Sequence, residues 1–70
     1  MTIKELRAIN QAKIKTLLKT NPTSPDLMRC QVVARILEDE QGFIKLSQAD
    51  KVAVLTTIGL TPDSAAAWRP

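Results

Sequence analysis

The stretch from Ser24 to Gly42 limits the fold more than any other part of the chain, because both of its ends carry helix signals. Ser24 is a preferred N-cap residue, Pro25 suits the first helical position, and Asp26 places a negative charge near the positive end of the helix dipole. Gly42 is able to take the left-handed conformation that commonly closes a helix. We therefore predict a central helix over about residues 25–40.

The predicted central helix is apolar on more than one side. At about 100° per residue, one continuous apolar stripe forms. It consists of Leu27, Cys30, Val33, Ala34 and Leu37. Met28 and Val32 lie on a different side and form a second apolar strip. Either neighbouring helices flank the central helix and cover both sides, or the strip packs against a second copy of the chain as a homodimer.

Two further segments carry clear helix starts. Thr2 and Glu5 have the spacing of a capping box, which predicts a helix over about residues 3–19. Ser47 has N-capping spacing for another helix, over about residues 48–58. The apolar connection before Ser47 is expected to plug the end of the core, since loops seldom expose several large apolar residues without reason.

The C-terminal part of the chain predicts one more short helix. Gly59 is placed to end the preceding helix, Thr61 to cap the next one, and Pro62 to occupy its first position. Trp68 is expected to anchor the C-terminus on the core. Strand-like alternation is absent, so we predict an all-α fold: a small bundle of three main helices plus a short C-terminal fourth helix, in a single domain over residues 1–70.

The composition argues against most enzyme and metal chemistry. The chain has no histidine and one cysteine, Cys30, so it lacks both the base of a nucleophilic triad and the usual ligand set for zinc. Two glycines are too few for a glycine-rich phosphate loop. Around Gly42, a calcium-loop register would put Leu37 and Gln48 where acidic ligands are required. We expect no enzymatic activity, no cofactor, and no stabilisation by Ca²⁺ or Zn²⁺.

The chain has a net charge of +3, and its basic character belongs to the N-terminal segment, where residues 1–25 carry +4. There, Lys4, Lys15 and Lys19 share one face of the predicted first helix. This basic face is either solvated or a weak docking surface for an acidic partner or a phosphate backbone. Three acids, Glu38, Asp39 and Glu40, end the predicted central helix, where they oppose its dipole and are expected to fan outward into solvent.

The segment 48–68 resembles a helix-turn-helix in the order of its apolar, turn and capping residues. It has apolar Ile58, turn residue Gly59, apolar Leu60, and then a capped helix that leads to Trp68. The resemblance implies DNA binding through that second helix. Its exposed positions depart from the pattern, because they carry none of the Arg, Lys, Asn or Gln side chains that read base edges. They are Pro62, Asp63, Ser64, Ala66 and Ala67.

The N-terminus lacks the long apolar run of a signal peptide, and no stretch approaches the length of a membrane span, so we expect a soluble, cytoplasmic protein. Its function is expected to be that of a small non-enzymatic interaction protein, an adaptor or regulator that binds another protein. The alternative is a nucleic-acid-binding module that uses the basic N-terminal helix and the degenerate helix-turn-helix.

Overall fold

The computed structural model describes residues 1–70 and contains five helices and no strand. They are α1 (Ile3–Thr20), α2 (Pro25–Glu38), α3 (Glu40–Ile44), α4 (Gln48–Thr57) and α5 (Pro62–Ala67). The all-α prediction is confirmed. Helix α2 packs mainly on α1 and also contacts α3 and α4, which gives it the central position that its sequence predicts.

Four of the five helices, all except α3, start where the sequence places their caps. Thr2 and Glu5 form a complete capping box at α1. The Ser24 hydroxyl accepts a hydrogen bond from the Asp26 amide at the start of α2. Ser47 and Thr61 accept from main-chain amides at the starts of α4 and α5. These oxygens satisfy amide groups that have no partner within the helix.

The end of α4 also follows the sequence prediction. Gly59 has φ of 112°, a left-handed conformation that side chains disfavour. The Leu60 amide then donates to the Leu55 carbonyl at 3.1 Å, which is the bond of a glycine-closed helix end. The chain turns here and enters α5.

The prediction that Gly42 closes α2 is wrong. The helix ends at Glu38, two residues before the predicted bound, and a further helix, α3, begins at once. Asp39 ends α2 and caps α3, where its carboxylate accepts from the Gly42 amide at 3.0 Å. Gly42 lies inside α3 without a positive φ. A Cβ there would overlap the Asp39 carboxylate, so the close approach of this capping side chain, and not the backbone conformation, favours the glycine.

The core draws on all five helices. Ten buried side chains form one cluster. They are Ile3, Leu6, Val33, Leu37, Phe43, Val54, Leu55, Ile58, Ala65 and Trp68. Val33 and Leu37, at the middle of the predicted apolar stripe, are 4% and 0% exposed.

Trp68 anchors the C-terminus as predicted. Its ring packs edge-to-face on Phe43, with 5.3 Å between the ring centroids. Its indole nitrogen donates a hydrogen bond to the Met1 carbonyl at 2.8 Å, which ties the two ends of the chain together. None of the five helices has both the length and the apolar character needed to cross a membrane.

Candidate interaction surface between α2 and α4

The second apolar strip of α2 is open to solvent. Met28 is 70% exposed and Val32 is 57% exposed. The side of α2 that faces the core is closed, because Leu27, Cys30 and Leu37 are all buried. The interpretation in which neighbouring helices cover both sides of α2 is therefore wrong: α1 and α4 cover the stripe and leave the strip bare.

A groove between α2 and α4 lies beside this strip. Its volume is about 250 Å³. Its lining consists of Arg29, Val32, Val33, Ala53, Val54 and Thr57. Val33 and Val54 belong to the buried core cluster, so the floor of the groove is held by the packing of the bundle. The groove is smaller than the roughly 300–1,000 Å³ of typical small-molecule pockets, and its size suits one large apolar side chain.

Charges of both signs border the groove and the strip. Arg29 pairs with Asp26 at 3.1 Å, and both side chains are mostly exposed. Arg35 follows Val32 by three positions on the outer side of α2, and Asp50 precedes Ala53 by three on α4, which puts each beside the apolar residues. Neither Arg35 nor Asp50 takes part in an ion pair. We call the strip, the groove and these four charged residues the α2–α4 surface.

The opposite side of α2 is closed by polar side chains of α1. Arg7 donates from Nε to the Leu37 carbonyl at 2.8 Å and forms an ion pair with Glu40 at 3.3 Å. Asn10 is 1% exposed and donates from Nδ2 to the Cys30 carbonyl at 3.0 Å. The guanidinium of Arg7 thereby satisfies a carbonyl at the end of α2 and holds α3 against α1.

Lys13 makes a similar bond to α4, from Nζ to the Thr57 carbonyl at 2.7 Å. The sequence alone does not predict these contacts of Arg7, Asn10 and Lys13. The available signal was that polar residues at core-facing positions need partners, and for Arg7 and Lys13 these partners are carbonyls at helix ends.

A second, smaller cavity lies on this polar side. Its volume is about 190 Å³. Its lining consists of Arg7, Asn10, Gln11, Ala34 and Glu38. The Asn10 Oδ1 atom is buried without a hydrogen-bond partner, while the Nδ2 bond to Cys30 fixes the orientation of the amide.

The structure brings the predicted basic face together on α1. Lys4, Lys15 and Lys19 are exposed, and none of them forms a hydrogen bond or an ion pair with the rest of the chain. Fifteen helical steps separate Lys4 from Lys19, which spreads the three charges over roughly 22 Å of helix. Such a row is wide enough to meet several phosphates or carboxylates, but it encloses none.

The segment that resembles a helix-turn-helix forms α4, the Gly59 turn and α5. Helix α5 has six residues, and Asp63 is the acidic residue of its first turn. Ala65 faces the core, while the residues around it are exposed. Arg69, the nearest cation in the sequence, donates to the carbonyls of Ala66 and Trp68. No cation therefore projects from the exposed face of α5.

The structure contains no group of three His, Cys, Asp or Glu side chains placed to hold a metal ion. Cys30 is fully buried, as its position in the apolar stripe predicts. Comparison of the chain with family models, with curated proteins and with solved structures finds no match.

Proposed function

We propose that this chain is a small non-enzymatic interaction protein, an adaptor or regulator, which binds another protein through the α2–α4 surface. The observation that carries the proposal is the exposure of Met28 and Val32 beside an apolar groove. Single exposed apolar residues are common on protein surfaces, but two neighbours next to a preformed groove make a contiguous patch, and such patches mark interaction sites.

The energetics support this use of the surface. Burial of a fully exposed Met or Val side chain is worth about 1.5–3 kcal/mol, and neither Met28 nor Val32 gains that in the isolated chain. Methionine and arginine are also enriched at protein interfaces, and both lie on this surface as Met28, Arg29 and Arg35.

The chemistry of the remaining side chains favours binding over catalysis. Cys30 is buried away from solvent, and the sequence has no histidine to serve as a base. Asp39 and Glu40 are engaged at the junction of α2 and α3. A single unpaired thiol also fits a reducing compartment, and we propose that the protein acts in the cytoplasm.

Site-specific photo-cross-linking in the cells that express the chain tests the proposal. A photoreactive amino acid at position 28 or 32 lies on the α2–α4 surface. The matched control is position 12, because Ala12 is exposed on the outer side of α1. We expect covalent protein adducts from positions 28 and 32 and none from position 12. Equal adduct yields at all three positions, or none at 28 and 32, would overturn the proposal.

A second candidate function is nucleic-acid binding through the basic face of α1. The observation in its favour is that Lys4, Lys15 and Lys19 carry no intramolecular partner. Binding of that kind weakens steeply with salt, because the lysines displace counterions from the phosphates. The double variant Lys15→Glu, Lys19→Glu should then lose a DNA or RNA probe while its melting temperature stays unchanged, since exposed charges contribute little to stability. We expect instead no retention of either probe by the wild-type chain near physiological salt.

A further inference from the structure

We infer that a second copy of this chain occupies the α2–α4 surface, and that Met28 of each copy inserts into the α2–α4 groove of the other. The inference rests on the proposed function, because it names the partner for the same surface. It is carried by the presence of a protruding side chain and a receiving groove side by side on one face.

Met28 has the properties of an inserting side chain. It is the most exposed of the large apolar residues and lies one helical turn from Val32, which lines the groove. Its side chain is unbranched and polarisable, so it adapts to the shape of an apolar recess. The groove volume of about 250 Å³ is large enough for one such side chain.

A face that carries both parts suits two-fold symmetry. In an isologous dimer each contact occurs twice: if a residue of the first copy enters a groove of the second, the same residue of the second copy enters the same groove of the first. With Val32 near the two-fold axis, Met28 of each copy is offset toward the groove of its partner. One symmetric arrangement then buries both exposed residues and fills both grooves.

The charges at the edge of the surface agree with self-association. Asp26 and Asp50 balance Arg29 and Arg35, so the border carries no net charge although the whole chain carries +3. Net charge therefore does not oppose the approach of two such borders. A strongly acidic or strongly basic partner would instead be repelled by two of these four side chains.

The size of the surface sets the expected strength. A standard interface buries about 800 Å² on each partner, which is about a sixth of the 4654 Å² of this chain. Contacts confined to the outer sides of α2 and α4 fall toward the small end of that range. We therefore expect a reversible dimer that forms as the concentration rises, rather than a permanent one.

Sedimentation from about 10 µM to about 1 mM, together with a charge pair across the contact, tests the inference. Met28→Lys puts a cation on the inserting residue, and Ala53→Glu puts an anion in the groove. Each variant alone should remain near 7.7 kDa at every concentration. An equimolar mixture should recover a species of twice that mass, because the introduced lysine then meets the introduced glutamate in one contact while the other contact stays native. Circular dichroism checks that both variants are folded.

Ala12→Glu is the control, since it adds the same charge as Ala53→Glu on the outer side of α1 and should dimerise like the wild type. A wild-type chain that stays near 7.7 kDa at about 1 mM would overturn the inference, as would a dimer that survives both substitutions or a mixture that fails to recover it. If the wild type stays monomeric while position 28 still cross-links to a different protein in cells, the second copy is the wrong occupant and the proposed function stands.

Discussion

The two sides of α2 use their residue types in opposite ways. Toward α1, polar side chains turn inward: Arg7 and Asn10 donate to carbonyls of α2. We call this contact between α1 and α2 the closed seam. Away from α1, apolar side chains turn outward: Met28 and Val32 stand in solvent beside an open groove. The first arrangement joins helices within the chain, and the second leaves apolar area that only another molecule is able to bury.

This contrast separates the residues that stabilise the fold from those that bind a partner, in a domain of low stability. A core of this size supplies roughly 3–5 kcal/mol of net stability. Residues of the closed seam and the core should therefore control unfolding, whereas the exposed residues of the α2–α4 surface should control association and leave unfolding almost unchanged.

The largest effect is expected from the core that both sides of α2 share. Leu37 is fully buried in the main cluster, so Leu37→Ala should cost about 2–5 kcal/mol through lost burial and a residual cavity. That loss is enough to unfold much of the population at room temperature. A thermal melt followed by circular dichroism measures it, and a midpoint within a few degrees of the wild type would contradict the position of α2.

The closed seam should give the next largest effect. Arg7→Ala removes the donor to the Leu37 carbonyl and the ion pair to Glu40, and should cost about 1–3 kcal/mol in urea unfolding. The matched control is Arg29→Ala, which removes only an exposed pair with Asp26 and should cost less than about 0.5 kcal/mol. Equal costs for the two arginines would remove the distinction between the two sides of α2.

A smaller effect is expected where α2 gives way to α3. Gly42→Ala forces the Asp39 carboxylate away from the Gly42 amide, and loss of that N-cap costs about 1 kcal/mol, which offsets the roughly 0.5–1 kcal/mol that alanine gains over glycine inside a helix. In an Asp39→Ala background the same change should stabilise the fold by that gain, because the crowding carboxylate is gone. Equal effects of Gly42→Ala in the two backgrounds would show that Gly42 is needed for another reason.

The sequence was sufficient for most of the secondary structure. The caps at Thr2, Ser24, Ser47 and Thr61 act over three residues or fewer, so local spacing reveals them. The break at Asp39 was missed, because a glycine shortly after a helix usually closes it and nothing local distinguishes that use from close approach to a carboxylate.

The sequence predicts only part of the candidate site. Helical periodicity identified Met28 and Val32 as a separate strip, but periodicity gives the direction of a side chain and not what covers it. Their exposure depends on where α1 and α4 pack, which is a tertiary property. The contribution of Ala53 and Val54 to the groove likewise arises from contact between helices far apart in the sequence.

Single lysine substitutions at two adjacent residues of α2 test most directly whether one side of the helix is buried and the other is open. Leu27 is 5% exposed and Met28 is 70% exposed, although they are neighbours in the chain. In urea unfolding at low micromolar concentration, Leu27→Lys should leave no stable folded state, since it buries an unpaired charge. Met28→Lys should stay within about 0.5 kcal/mol of the wild type, as a surface substitution does. Comparable losses of stability in the two variants would contradict the open α2–α4 surface.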